Sequence, residues 1–246
     1  MRLEYHVDAY DTVALSGQPV LVRHRQEEWS IECKHLGGDT LELLQRLERF
    51  TASERTSRGD SSLRQTADWV GQPARIVMTR RGWRLQSQPP LTSQLGIVPG
   101  SLFGPALFVP LDSGCVRCGA QQWLIECNDT LVEYAYPAPV LERIILARAD
   151  SCSSAGKLLR ISYAETSRGV HRAQSTDFAV ATTGWTLAHG VVEIDTTYGL
   201  PTTLFYAQQI RLSIVGQQGH EHRGEQRTAF HARLTKIETV GARMQR

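Results

Sequence analysis

Hydrophobic and polar positions alternate with period two along much of this chain. From Thr203 to Val215, Leu204, Tyr206, Ile210, Leu212 and Ile214 fall on one side, and Phe205, Ala207, Gln209, Arg211 and Ser213 on the other. That pattern predicts a long strand with one buried face. After the polar stretch 216–226 the chain returns as Arg227 to Thr239, which predicts a long antiparallel hairpin. Just upstream, Gly190-Val-Val-Glu-Ile-Asp195 runs into the turn Tyr198-Gly-Leu-Pro201.

The N-terminal half repeats the theme. Arg2 to Leu15 reads as a strand, Ser16-Gly-Gln-Pro19 turns it into Val20 to Arg25, and from Glu28 the set Trp29, Ile31, Cys33 and His35 alternates with Glu28, Ser30, Glu32 and Lys34. Thr40 to Thr51 has two readings. Leu41, Leu44, Leu47 and Phe50 have helical spacing and Asp39 with Glu42 resembles a capping box, whereas Leu41, Leu43 and Leu47 with a Gly37-Gly38-Asp39 turn describe a strand. Ser53 to Ser62 reads as a polar loop tip, and Arg75 to Leu85 as a compact hairpin across Arg80-Arg-Gly82. Prolines 89, 90, 99, 105 and 110 among Leu102, Phe103, Leu107 and Phe108 exclude regular interiors, so 88–110 is expected to be an irregular segment or short helix covering a sheet. Leu131 to Tyr136 reads as a short strand, Leu141 to Ala149 with Lys157 to Glu165 as a hairpin, and Trp185 as a turn residue after Gly184.

About ten strands punctuated by Gly and Pro turns add up to a mainly β, antiparallel domain. One such domain is expected over 1–240, with 241–246 as a tail.

Composition changes this picture little. Hydrophobic residues at 41% and charged residues at 21% are ordinary for a globular chain, and a net charge of +2 gives no reason to expect nucleic acid as a partner. Lys34, Lys157 and Lys236 are the only lysines, an arginine bias that reads as genome composition. No apolar run reaches the roughly 20 residues of a membrane helix, so no transmembrane segment of that kind is expected. Met1-Arg-Leu-Glu-Tyr-His6 starts directly in polar alternation. The expectation is therefore a cytoplasmic protein, or a periplasmic or cell-envelope one whose export signal has been removed.

Candidate chemistry is sparse. Gly114-Cys115-Val-Arg-Cys118-Gly119, with Cys127 on the next extended segment, is the strongest metal-ligand cluster, yet structural zinc normally needs a second pair. A bridged hairpin or buried thiols compete with it. His220-Glu-His222 would project two rings the same way from an extended backbone, with His189 and His231 as further candidates. Gly100-Ser101-Leu-Phe-Gly104 has its serine in the wrong place for a nucleophile elbow, and no phosphate-cradling glycine loop exists. No catalytic residue is assigned and no cofactor is expected. The five tryptophans, Trp29, Trp69, Trp83, Trp123 and Trp185, are read as packing residues or pocket lining.

The order of Leu3-Glu-Tyr5-His-Val7, Trp29-Ser-Ile31, Arg80-Arg-Gly82-Trp83 and Gly190-Val-Val-Glu-Ile-Asp195 before Tyr198-Gly-Leu-Pro201 resembles the bacterial half-barrels of the lipoprotein-carrier type, the LolA/LppX-like group, and related exported proteins of unknown function from planctomycete-like bacteria. The resemblance implies a strongly curved open sheet, a half-barrel, with the Pro-rich loop or short helix over its open side. Its concave apolar face would hold a lipid-like ligand or a segment of a partner protein.

The expected function is thus non-catalytic binding of a hydrophobic ligand or protein partner. Two alternatives stand beside it: an assembly subunit pairing through sheet edges, and an enzyme or metal protein using Cys115, Cys118, His220 and His222.

Overall fold

The structure is a computed structural model that describes residues 1–90, 107–111, 121–131, 140–152, 157–174, 179–216 and 219–239. Among the described residues twelve strands follow in chain order: β1 (Arg2–Leu15), β2 (Leu21–Gly37), β3 (Thr40–Thr56), β4 (Ser61–Arg64), β5 (Pro73–Thr79), β6 (Arg84–Gln88), β7 (Gln122–Leu131), β8 (Val140–Cys152), β9 (Leu158–Gln174), β10 (Ala179–Asp195), β11 (Leu200–Val215) and β12 (Glu221–Glu238). No helix occurs among the described residues.

They form one sheet in the order β2-β1-β12-β11-β10-β9-β8-β7-β6-β5-β3-β4, and β2 also pairs with β3, which closes the ring. Every pairing is antiparallel except β6 with β7, which are parallel over only Gln86↔Thr130 and Ser87↔Leu131. That short contact is a seam. The expected open half-barrel is therefore corrected to a nearly closed barrel, because the β1–β12 and β2–β3 pairings run almost the full length of their strands. A nearly closed ring also leaves few free edges.

Residues 107–111 of the Pro-rich stretch lie at the seam. Trp83 donates its indole N–H to the Leu111 carbonyl at 3.1 Å, Trp123 donates to the Pro110 carbonyl at 3.4 Å, and the Leu111 amide donates to Arg81 at 2.7 Å. Gly82 at φ +83 lies so close beneath that an added Cβ would sit 2.9 Å from the Val109 carbonyl oxygen. This part of the stretch covers the sheet as expected, and without a helix.

Thr40 to Thr51 is strand. The last step of its helical spacing comes from a bulge: Glu28 faces Arg49 but Trp29 faces Leu47, so Glu48 is the extra residue and the inward set steps from Leu47 to Phe50, whereas Leu44 is a half-buried residue on the opposite face from Leu43 and Leu47. Three other expectations also change. Ser53–Ser62 holds the end of β3 and start of β4, Trp185 sits inside β10, and the last hairpin's return strand starts at Glu221. The strand expected at 131–136 lies outside the described residues beyond Leu131, as do 241–246.

The interior is layered. One end is apolar, filled by Leu3, Tyr5, Val7, Trp29, Ile31, Leu47, Ile161, Leu204 and Phe230, all nearly solvent-free. Toward the other end the inward positions turn polar. Asp11 faces Thr228, which in turn faces Gln208 across β11 and β12. Arg25 sits between two carboxylates: its Nε donates to Asp11 Oδ2 at 2.6 Å and its Nη1 donates to Glu27. Arg23 and Thr228 also donate to Asp11, at 3.0 and 2.9 Å, and Trp29 Nε1 donates to Glu27 at 2.9 Å. Burial pushes the Asp11 carboxyl up, but Arg25 and Arg23 outweigh it and hold the group below its ordinary value. Burial also pushes Glu27 up, and there Arg25 fails to compensate fully.

Candidate functional site

The widest described concavity is on the outside of the barrel. Its side chains come from the outward positions of neighbouring strands: Ile144 on β8, Thr166 and Arg168 on β9, Trp185 and Leu187 on β10, and Gln209 and Arg211 on β11. Together with the tip of β1 and the start of β12 they bound an open cleft of ≈ 1450 Å³. Register explains the grouping. Ile144 faces Thr166, Thr166 faces Leu187, and Arg168 faces Trp185, so one outward row crosses three strands without interruption.

The floor of the cleft is apolar and exposed. Ile144, Trp185 and Leu187 are 49%, 46% and 58% exposed, and Leu124, Leu146 and Phe205 continue the patch on β7, β8 and β11. The Arg168 guanidinium stands 6.0 Å from the Trp185 ring centre, a cation–π contact that leaves much of the indole bare. The rim carries both signs. Arg223 and Ser213 hydrogen-bond Glu221 at 3.2 and 2.8 Å and hold its carboxyl below the ordinary value. Glu225 is held down likewise by hydrogen bonds from Gln209 and Arg227. These acids stay ionised, so the rim keeps its alternating charge at neutral pH.

Among the described residues, the interior offers far less room. A cavity of ≈ 20 Å³ lies beneath residues 108–110, against Arg143, Tyr163 and Tyr206. It has the volume of about one water molecule. The inward face is largely filled by the protein's own side chains, with Trp29, Trp69, Tyr5 and Phe230 among the largest fully buried ones. The concave apolar face expected to hold a ligand is thus mostly core, and the accessible apolar surface is on the opposite face.

The thiol cluster is only partly described. Cys115 and Cys118 lie outside the described residues, Cys127 is half-buried on β7 and borders the cleft, and Cys152 on β8 is disulfide-bonded. Burial raises the Cys33 thiol to about 11. His220 and His222 are exposed at the start of β12. His231 lies nine residues further along the same strand, roughly 30 Å away, and His189 is on β10. Among the described residues no group of three or more His, Cys, Asp or Glu is placed to hold a metal ion.

Sequence reasoning missed the cleft because Trp185 reads as a turn residue beside Gly184. The available signal was Ile144-Ile145-Leu146, apolar on both faces of one strand, since a strand covered on one side only alternates.

No family model matches the chain, and no curated protein matches it. Among solved structures it is similar to the outer membrane protein OmpT of Vibrio cholerae with loop L8 deleted, at 10% identity and a TM-score of 0.18, covering 94% of this chain and 99% of that one. The in-vitro folded trimer form of OmpT gives 10% identity and a TM-score of 0.16 over the same shares. Scores this low carry no argument about fold or function. No described helix is long and apolar enough to cross a membrane.

Proposed function

We propose that this is a non-catalytic binding protein whose outward cleft on β7 to β12 takes an extended segment of a partner protein. The carrying observation is the exposed apolar floor of Ile144, Trp185 and Leu187 between rims of mixed charge. Exposed apolar patches with polar rims mark interaction surfaces, and paired charges of both signs suit a polypeptide better than an acyl chain, which offers nothing for them to recognise. The volume of ≈ 1450 Å³ exceeds the roughly 300–1,000 Å³ of small-molecule pockets. Among the described residues, the cavity inside the barrel is ≈ 20 Å³, too small for a lipid.

The distribution of charge supports a partner over a bilayer. Outward positions on β1, β2, β3 and β5 carry ion pairs such as Arg46–Glu32 at 2.9 Å and Arg75–Glu42 at 2.6 Å, while the inward face is apolar at one end and polar at the other. A membrane-spanning barrel carries its apolar band around the whole outside, and these ion-paired strands interrupt one. The bridge at Cys152 supports an oxidising compartment such as the periplasm or cell envelope.

Selection of displayed random peptides on the immobilised full chain, counter-selected on Leu187→Asp, tests the reading. Leu187 is exposed, so the variant keeps its fold. The expected result is a set of peptides sharing an apolar motif that bind wild type and not the variant. Peptides that bind both equally, or a co-purifying lipid released on denaturation, would overturn it.

A further inference from the structure

The charges around the outward cleft do not all satisfy one another, and those left over are sorted by sign along it. Arg223 and Arg227 pair with Glu221 and Glu225 of their own strand, at 3.2 and 2.6 Å. Four other exposed charges have no ion-pair partner among the described residues: Glu126 on β7, Glu142 on β8, Arg168 on β9 and Arg211 on β11. Glu142 faces Arg168 across β8 and β9, but that guanidinium stands over the Trp185 ring on its other side. Arg211 faces Glu225, whose carboxylate already takes hydrogen bonds from Gln209 and Arg227, and acts on it only through space. Trp185 faces Arg168 on one side and Arg211 on the other, so two cations straddle the exposed indole, whereas the β7–β8 end of the same cleft holds two carboxylates.

Ile144 and Leu187 belong to the floor between these ends, so the order across the strands runs from negative through apolar to positive. From β7 to β11 is four strand spacings, about 19 Å, which an extended chain spans in about six residues. A second copy of this chain related by a two-fold axis would meet the cleft with the same cleft, and two concave faces enclose a void where an interface core is closely packed. Complementary charges fix the register of a partner and exclude those whose charges fall on like ones. We infer that the segment held in the cleft crosses the strands and is itself dipolar. It carries a basic side chain over Glu126 and Glu142, apolar side chains against Ile144, Trp185 and Leu187, and a carboxylate between the guanidinium groups of Arg168 and Arg211, which hold carboxylates through charge-assisted hydrogen bonds. This rests on the cleft being the binding surface, as proposed above, and adds what the partner must carry.

The test uses the immobilised full chain and three displayed hexapeptide libraries that share a randomised centre of small and apolar residues. Their fixed ends are Lys and Glu, Lys and Lys, or Glu and Glu. The targets are wild type, Leu187→Asp, the double variant Arg168→Glu with Arg211→Glu, and the double variant Glu126→Lys with Glu142→Lys. All four charges are exposed, so reversing them leaves the fold intact. The Lys and Glu library is expected to be enriched about tenfold over the other two on wild type. The first double variant, whose unpaired charges are all negative, should prefer Lys at both ends, and the second, with all of them positive, Glu at both. Equal enrichment of the three libraries on wild type, or a preference unchanged in both double variants, overturns the inference; if Leu187→Asp still abolishes binding, the cleft stands as the binding surface. Enrichment on no target, or enrichment undiminished on Leu187→Asp, overturns the cleft reading and the inference with it.

Discussion

Replacing Arg25 by Met removes the cation that two buried carboxylates share. Arg25 is 1% exposed and Glu27 equally so. Asp11 keeps Arg23 and Thr228 as donors in the variant, but Glu27 is left with the indole N–H of Trp29 alone. Breaking a buried pair by removing one partner costs about 3–5 kcal/mol, mostly the penalty of the stranded charge. Against a total stability of roughly 5–15 kcal/mol this is a large share. At about 2–4 °C per kcal/mol for a chain of this size, Tm falls by roughly 6–20 °C. Urea unfolding and calorimetry measure both quantities. Arg25→Met with Glu27→Met together replace charge by apolar volume and should recover most of the loss. A single variant within about 1 kcal/mol of wild type would refute the reasoning, as would a double variant no better than the single one.

The remaining predictions concern the same interior, the seam and the sheet. The Asp11 pKa is lowered from 3.8, so its contribution is present above that value and lost as pH falls through the lowered one; Asp11→Asn should flatten this part of a stability–pH curve measured by urea unfolding. Glu27 is raised from 4.5 and acts with the opposite sign, favouring the fold below that value and losing this as pH rises through the raised one, so Glu27→Gln should cost less at neutral pH than Asp11→Asn. Trp83→Phe and Trp123→Phe should each cost about 0.5–1.5 kcal/mol through the lost hydrogen bond and speed amide exchange at Leu111, whose N–H bonds Arg81. Gly190→Ala should cost about 1–3 kcal/mol, because the new Cβ would lie 2.5 Å from the Tyr163 ring that packs across the strand pair.

Much of the sheet is legible in the sequence, and the limits have physical causes. β1 and β11 were readable because their inward residues are apolar, as in Leu3, Tyr5, Val7 and Ala9. β2 read as two pieces because Arg23, Arg25 and Glu27 occupy inward positions, and hydropathy cannot assign a face to charges that satisfy one another inside. The bulge at Glu48 imitates a helical repeat, since one inserted residue turns a spacing of two into three. Closure was not legible at all. It depends on β1 meeting β12, more than two hundred residues apart in the chain, and no local pattern encodes that pairing. The cleft stayed hidden for a related reason: it is assembled from one or two outward residues of each of several adjacent strands, and only the register aligns them.

The central claim is that the accessible binding surface lies outside the barrel and that a polypeptide occupies it. Its most direct test places a photoreactive residue at position 187 in the cleft and, separately, at position 204 in the core, then illuminates the protein in its native cells. The account predicts a discrete polypeptide adduct at 187, the same in repeated preparations, and only intramolecular products at 204. Lipid adducts at 204, or no adduct at 187, would contradict it.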